Sequence, residues 1–132
     1  MNQNMTITGK PQTHIFSFRP PAVVAAGATV RVSQTNGPKS FKVTHIGFTS
    51  TRVGIPAIRQ PYRLFIQDVG GNTFFSNETF DADAVFGADS QNPAFLLPMP
   101  YDWGDKGQIT VEFTNVGTLA SLPSLLMIGF LQ

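Results

Sequence analysis

The sequence predicts an all-β protein, two packed antiparallel sheets of about eight short strands, and three observations predict it. Apolar residues recur with a period of two along most of the chain. Turn signals separate these runs at spacings of roughly 8 to 12 residues, the mark of a sandwich or a barrel. Ten Pro and twelve Gly are spread through the 132 residues, and no long window carries a helical period.

Taken in order, the first eleven residues are polar and aperiodic and end at Gly9-Lys10-Pro11. They read as an N-terminal arm (1–11), and residues 12–132 as a single β-sandwich domain. Gln12 to Phe18 is the first candidate strand, closed by Pro20-Pro21. Thr29 to Thr35 alternates, with Val30 and Val32 inward and Arg31 and Ser33 outward, and ends at Asn36-Gly37-Pro38. Ser40 to Thr49 places Phe41 and Val43 on one face, then changes phase to Ile46 and Phe48. Gly47 between them suggests a bulge or a bend between sheets. Tyr62 to Val69 and Thr73 to Phe75 flank Gly70-Gly71-Asn72, a hairpin signal. Asp81 to Phe86 has room for one helical turn.

Ala94 to Pro98 is the next strand candidate, and Pro98-Met99-Pro100 and Gly104 to Gly107 read as turns. Gly107 to Asn115 shows the cleanest alternation, with Ile109, Val111 and Phe113 on one face and Gln108, Thr110, Glu112 and Thr114 on the other. That is a half-buried antiparallel strand. The last stretch, Pro123 to Gln132, is apolar on both faces, so both faces need covers. One cover is the core. The other is a loop of the same chain or a second subunit.

Charge is segregated along the chain. Eight bases and no carboxylate lie between Met1 and Gln67, whereas eight carboxylates and only Lys106 follow from Asp68 onward. The net charge of +1 hides this split. Such a chain sets its charges against a complementary surface, either its own other half or another subunit. Charged residues are 13% of the total, against about a quarter in typical soluble domains, while Phe occurs twelve times. So little charge with so much Phe reads either as an ordinary β-domain with a surface rich in Thr, Ser, Asn and Gln or as a surface partly covered by neighbouring subunits.

Several chemistries lack their residues. Without Cys there is no disulfide framework, thiolate nucleophile or Cys-containing zinc site. His14 and His45 stand alone in separate strands, too few for a metal site, and no metal or other cofactor is expected. Glu78, Asp81, Asp83 and Asp89 lack the spacing of a calcium loop and read as a solvated acidic loop. No nucleophile elbow or phosphate-binding loop occurs, so no catalytic residue is assigned and the protein is expected not to be an enzyme. The basic residues from Lys39 to Arg63 are interleaved with Phe41, Phe48 and Tyr62. This is a faint version of a nucleic-acid platform, and alternation buries Phe41, so nucleic acid is not an expected partner. Neither a signal peptide nor a membrane span is expected.

One stretch carries a resemblance. Phe95-Leu-Leu-Pro-Met-Pro-Tyr-Asp-Trp-Gly104 runs into Gly107 to Asn115 and a final apolar strand, in a Cys-free chain that opens with a polar arm. From about Pro11 onward the chain resembles the small jelly-roll virion proteins of tailed bacteriophages, particularly capsid cement or decoration proteins. The resemblance implies a jelly-roll sandwich and a non-enzymatic role. Such a protein binds across joints between major capsid proteins on the virion surface and assembles in the host cytoplasm. It implies no site residue. The alternatives are a receptor- or carbohydrate-binding sandwich presenting Tyr62, Tyr101 and Trp103, or a head–neck or tail component.

Expected interface residues follow from the composition. The arm supplies Met1, Asn2, Gln3, Asn4, Met5 and Lys10, the basic run supplies Arg52, Arg59 and Arg63, and the last strand supplies Leu126, Ile128 and Phe130. The expected partners are the major capsid protein and further copies of this chain, as a dimer or trimer.

Overall fold

The computed structural model describes residues 12–68, 73–74, 76, 78–86, 95–104 and 107–131. In chain order these form β1 (Gln12–Phe18), β2 (Thr29–Thr35), β3 (Phe41–Ser50), β4 (Arg52–Val53), β5 (Ile58–Arg59), β6 (Tyr62–Asp68), β7 (Thr73–Phe74) and β8 (Phe80–Asp81). A single helical turn, α1 (Ala82–Phe86), precedes β9 (Phe95–Trp103), β10 (Gln108–Asn115) and β11 (Pro123–Leu131).

Sheet I has the order β1-β11-β3-β9, and sheet II the order β2-β10-β6-β7, with β8 beside β7 on the same edge of β6. All pairings are antiparallel. The first strand pairs with the last (β1 with β11), the second with the next to last (β2 with β10), then β3 with β9 and β6 with β7 and β8. Nested pairing of this kind is one long antiparallel ribbon rolled over on itself, which is a jelly roll. The expected all-β sandwich of eight principal strands is what the chain forms, with β4–β5 as an added small hairpin.

Alternation decides what each strand buries. Phe41, Val43, Leu64, Ile66, Ile109, Val111 and Phe113 line the core as their spacing predicts, while Val30 and Val32, on an edge strand, are half-buried against it. From sheet I, Phe16, Phe18, Phe41 and Trp103 form an aromatic cluster with ring centroids 4.5–6.1 Å apart. Offset and tilted rings at such separations gain about 0.5–1.5 kcal/mol per pair beyond burial.

The phase change in β3 is real, but its cause is Thr44 rather than Gly47. The register against β11 and against β9 shifts between Val43 and His45, so Thr44 is the extra residue. Its hydroxyl donates to the Ile128 carbonyl at 3.1 Å and fixes the bulge. On the other flank, Leu97 to Pro100 bow out between the paired Leu96 and Tyr101. Pro98-Met99-Pro100 is therefore a bulge inside β9, not a turn. Two prolines are tolerated because β9 is a sheet edge and a bulged residue owes the ladder no N–H.

Three buried amides brace the ends of the sandwich. The Asn36 side-chain amide donates to the carbonyls of Lys39, Trp103 and Gly104 at 2.7–3.0 Å, and its oxygen accepts from the Gly37 N–H. At the opposite end the Asn115 amide donates to Val24 O and Leu119 O. There the Gln60 carbonyl oxygen accepts from the N–H groups of Thr118 and Leu119.

Candidate functional site

The two outer faces of the sandwich differ in kind. On sheet II the outward residues are Thr29, Arg31 and Ser33 of β2, Thr110, Glu112 and Thr114 of β10, and Arg63, Phe65 and Gln67 of β6. They bond across strands: Thr29 to Thr114 at 2.9 Å, Ser33 to Thr110 at 2.8 Å and Arg31 to Glu112 at 2.8 Å. This is a face built for water.

Sheet I turns a different surface outward. Ile15 of β1 lies beside Ile128 of β11, which lies beside His45 of β3, which lies beside Leu96 of β9. Leu126 and Phe130 continue the β11 row. Ile15 is 54% exposed and Leu96 64%, and Leu126, Ile128 and Phe130 keep part of their surface open. A row of apolar side chains from β1, β11 and β9, joined across β3 by His45, thus crosses the sheet, with the Lys42–Asp102 pair (3.3 Å) near Phe130 at its margin. Contiguous exposed apolar surface of this kind marks an interaction site more often than scattered single residues do. The two-sided apolarity of β11 is the sequence signal for it. Ile15 and Leu96 carried no signal, because their side of the sheet follows only from the strand pairing.

The basic group separates. Arg63 pairs with Asp81 at 3.2 Å on the solvent face of sheet II, while Arg52 and Arg59 sit opposite each other on the β4–β5 hairpin. Arg31–Glu112 and Lys42–Asp102 are paired likewise, and each of these three pairs joins a base of the first half to a carboxylate of the second at directly opposed positions. The nested fold interleaves the two charge blocks at these three positions instead of leaving them as separate patches. Exposed pairs of this type contribute about 0–1 kcal/mol each. Met1, Asn2, Gln3, Asn4, Met5 and Lys10 lie outside the described residues, as does Asp89.

The aromatic residues of the alternative readings turn inward. Trp103 and Tyr62 are 0% and 1% exposed, Phe41 and Phe48 are buried, and Tyr101 is half-buried with its hydroxyl donating to the Asp68 carboxylate. None of these five rings is an exposed platform for a sugar or a base. His14 packs edge-on against Phe16 and Phe41 on the core side of sheet I, whereas His45 lies on its outer face. Among the described residues no three metal-ligating side chains come together.

Tyr62 gives the fold a readable titration. Its hydroxyl lies 2.7 Å from the Ser121 hydroxyl, and burial, partly opposed by that hydrogen bond, raises its pKa above the usual 10. A raised tyrosine favours the folded state fully below the unfolded value and loses that contribution as pH climbs through the folded one. Thermal melts should therefore fall at pH above about 10, the ordinary tyrosine value. Tyr62→Phe should start about 1 kcal/mol lower, for the lost hydrogen bond, and should fall less steeply. Parallel alkaline losses in the two proteins would show that Tyr62 is not the group responsible.

The fold and its two unlike faces define a jelly-roll sandwich with one wetted side and one side open to contact. No family model and no curated protein matches the chain.

Proposed function

We propose that the protein is a structural component of a virion, a capsid decoration or cement protein of the tailed-bacteriophage type. It attaches to the major capsid protein and to its own copies through the outer face of sheet I. The observation that carries this reading is the row Ile15–Ile128–His45–Leu96, apolar but for His45 and flanked by Leu126 and Phe130, on a molecule whose other face is mostly polar and hydrogen-bonded across its strands. One chain has built both kinds of sheet surface, so the apolar one is not a by-product of a Phe-rich composition. Cores of protein contacts are depleted of charge in the same way. The resemblance of the Phe95 to Asn115 region to decoration proteins supports the virion setting.

The double variant Leu126→Thr, Ile128→Thr tests the reading. Both positions alternate with core residues, so the fold should persist, and threonine suits a solvated strand. The intact protein should sediment as an oligomer at high micromolar concentration and pellet in many copies with capsid shells. The variant should do neither. A monomeric wild type would remove the self-association, and shells that take up wild type and variant equally would remove the docking face.

A further inference from the structure

The side of the sandwich where β9 and β8 run as neighbouring edges holds a second feature, an open cleft of about 380 Å³ between the two sheets. Its walls are Ile46, Ile66, Phe80, Phe86, Phe95 and Leu97, contributed by both sheets and α1. Ile46, Ile66 and Phe86 belong to the core itself, so the cleft reaches down to the packed interior. Its polar groups among the described residues are Ser76, Thr79 and Glu78, and no lysine, arginine or histidine is among the described lining residues. The Ser76 hydroxyl is already engaged by the Ile66 N–H at 3.2 Å.

We infer that this cleft binds one uncharged, largely apolar small molecule. Size comes first. Ligand sites run from about 300 to 1,000 Å³, and a cavity of about 150 Å³ lined by Leu, Ile and Phe already takes benzene. The volume here suits a molecule of two or three rings or an alcohol with a medium-length chain. Charge comes next. A fatty-acid carboxylate would meet Glu78 and no cation among the described lining residues, since Arg63, beyond Glu78 on the outer face of sheet II, is paired with Asp81, so an anionic head is disfavoured while a hydroxyl is accepted. Neither step depends on the virion reading, since the cleft lies at an edge between the sheets and not on the outer face of sheet I.

Titration with N-phenyl-1-naphthylamine, an uncharged dye that brightens in apolar surroundings, provides the test. The dye should bind saturably, 1-decanol should displace it, and decanoate should displace it about tenfold less well because its charge finds no partner. Glu78→Gln should narrow that gap. Val85→Trp, placed on the exposed side of α1 at the cleft wall, should weaken dye binding about tenfold by filling the space. In the intact protein, methyl NMR shifts on adding decanol should fall on Ile46, Ile66 and Leu97 and spare Leu126 and Ile128, which needs no variant to fold. Methyl shifts with decanol but no binding of the dye would mark an aliphatic ligand, and saturable dye binding that decanol does not displace an aromatic one. Absence of saturable binding by either probe would overturn the proposal, and so would methyl shifts confined to Leu126 and Ile128. Decanoate binding as tightly as decanol would overturn the assignment of an uncharged ligand.

Discussion

Gly129→Ala should be among the most damaging single substitutions in this protein, although it adds one methyl group. Gly129 lies in β11 at the bulge, where β3 presses closest. A Cβ there would overlap the Lys42 carbonyl oxygen and lie 2.8 Å from the Lys42 carbonyl carbon and 3.0 Å from Val43 Cα. All three are backbone atoms, so no side chain can rotate away. Either the central strand pair of sheet I separates or the bulge is lost. Overpacking usually costs about 1–3 kcal/mol where side chains can yield; here the loss should reach or pass the upper end of that range. Gly37→Ala, which would meet nothing within 4 Å, is the matched control and should be nearly neutral. Urea unfolding of the two variants checks both, and a loss under about 1 kcal/mol for Gly129→Ala would mean that β3 and β11 are not in this register.

Phe113→Ala should cost about 3–5 kcal/mol, the range for emptying a buried phenylalanine site. Phe113 is fully buried in β10, which has β2 on one side and β6 on the other, with Val30 and Leu64 as its opposed partners. A central strand cannot move inward without dragging both neighbours, so the cavity should stay largely open. Val30→Ala on the edge strand, half-buried at the start, should lose less. Chemical denaturation of the pair separates the cases, and equal losses would show that sheet II relaxes around the deletion.

Much of the fold was legible in the residues. Alternation placed β1 and β2 at their observed ends and β10 and β11 within a residue or two, because each buries one side chain in two and tolerates no register slip. The length of β9 was hidden by Pro98 and Pro100, which read as a turn until the bulge accounts for them. The β4–β5 hairpin has two residues per strand, too few to show a period. Asn36, Gln60 and Asn115 look like ordinary loop polar residues in sequence, and only the carbonyls and N–H groups gathered around them reveal them as braces.

The candidate face was half legible. Leu126, Ile128 and Phe130 follow from a strand apolar on both sides, whereas Ile15 and Leu96 join them only once β1 and β9 are set in the same sheet. The segregation of charge was visible at once, yet its meaning lay in the topology. When the first strand pairs with the last, a basic first half and an acidic second half become opposed partners at Arg31–Glu112, Lys42–Asp102 and Arg63–Asp81. Pairing β2 or β3 with β6 instead would set base against base, which cross-strand pairs disfavour.

The place of β11 also has a consequence for how the molecule is made. The last of these eleven strands in chain order is an inner strand of sheet I, seated between β1 and β3. Until it arrives, β1 has no strand partner and β3 has only β9, so half the sandwich waits for β11. Contacts between distant parts of a chain form slowly, and unpaired strand edges invite aggregation meanwhile. Nascent chains stalled before Pro123 should thus expose Phe16, Phe18 and Phe41 to chaperones, and the pairing of β11 is the event that closes the roll.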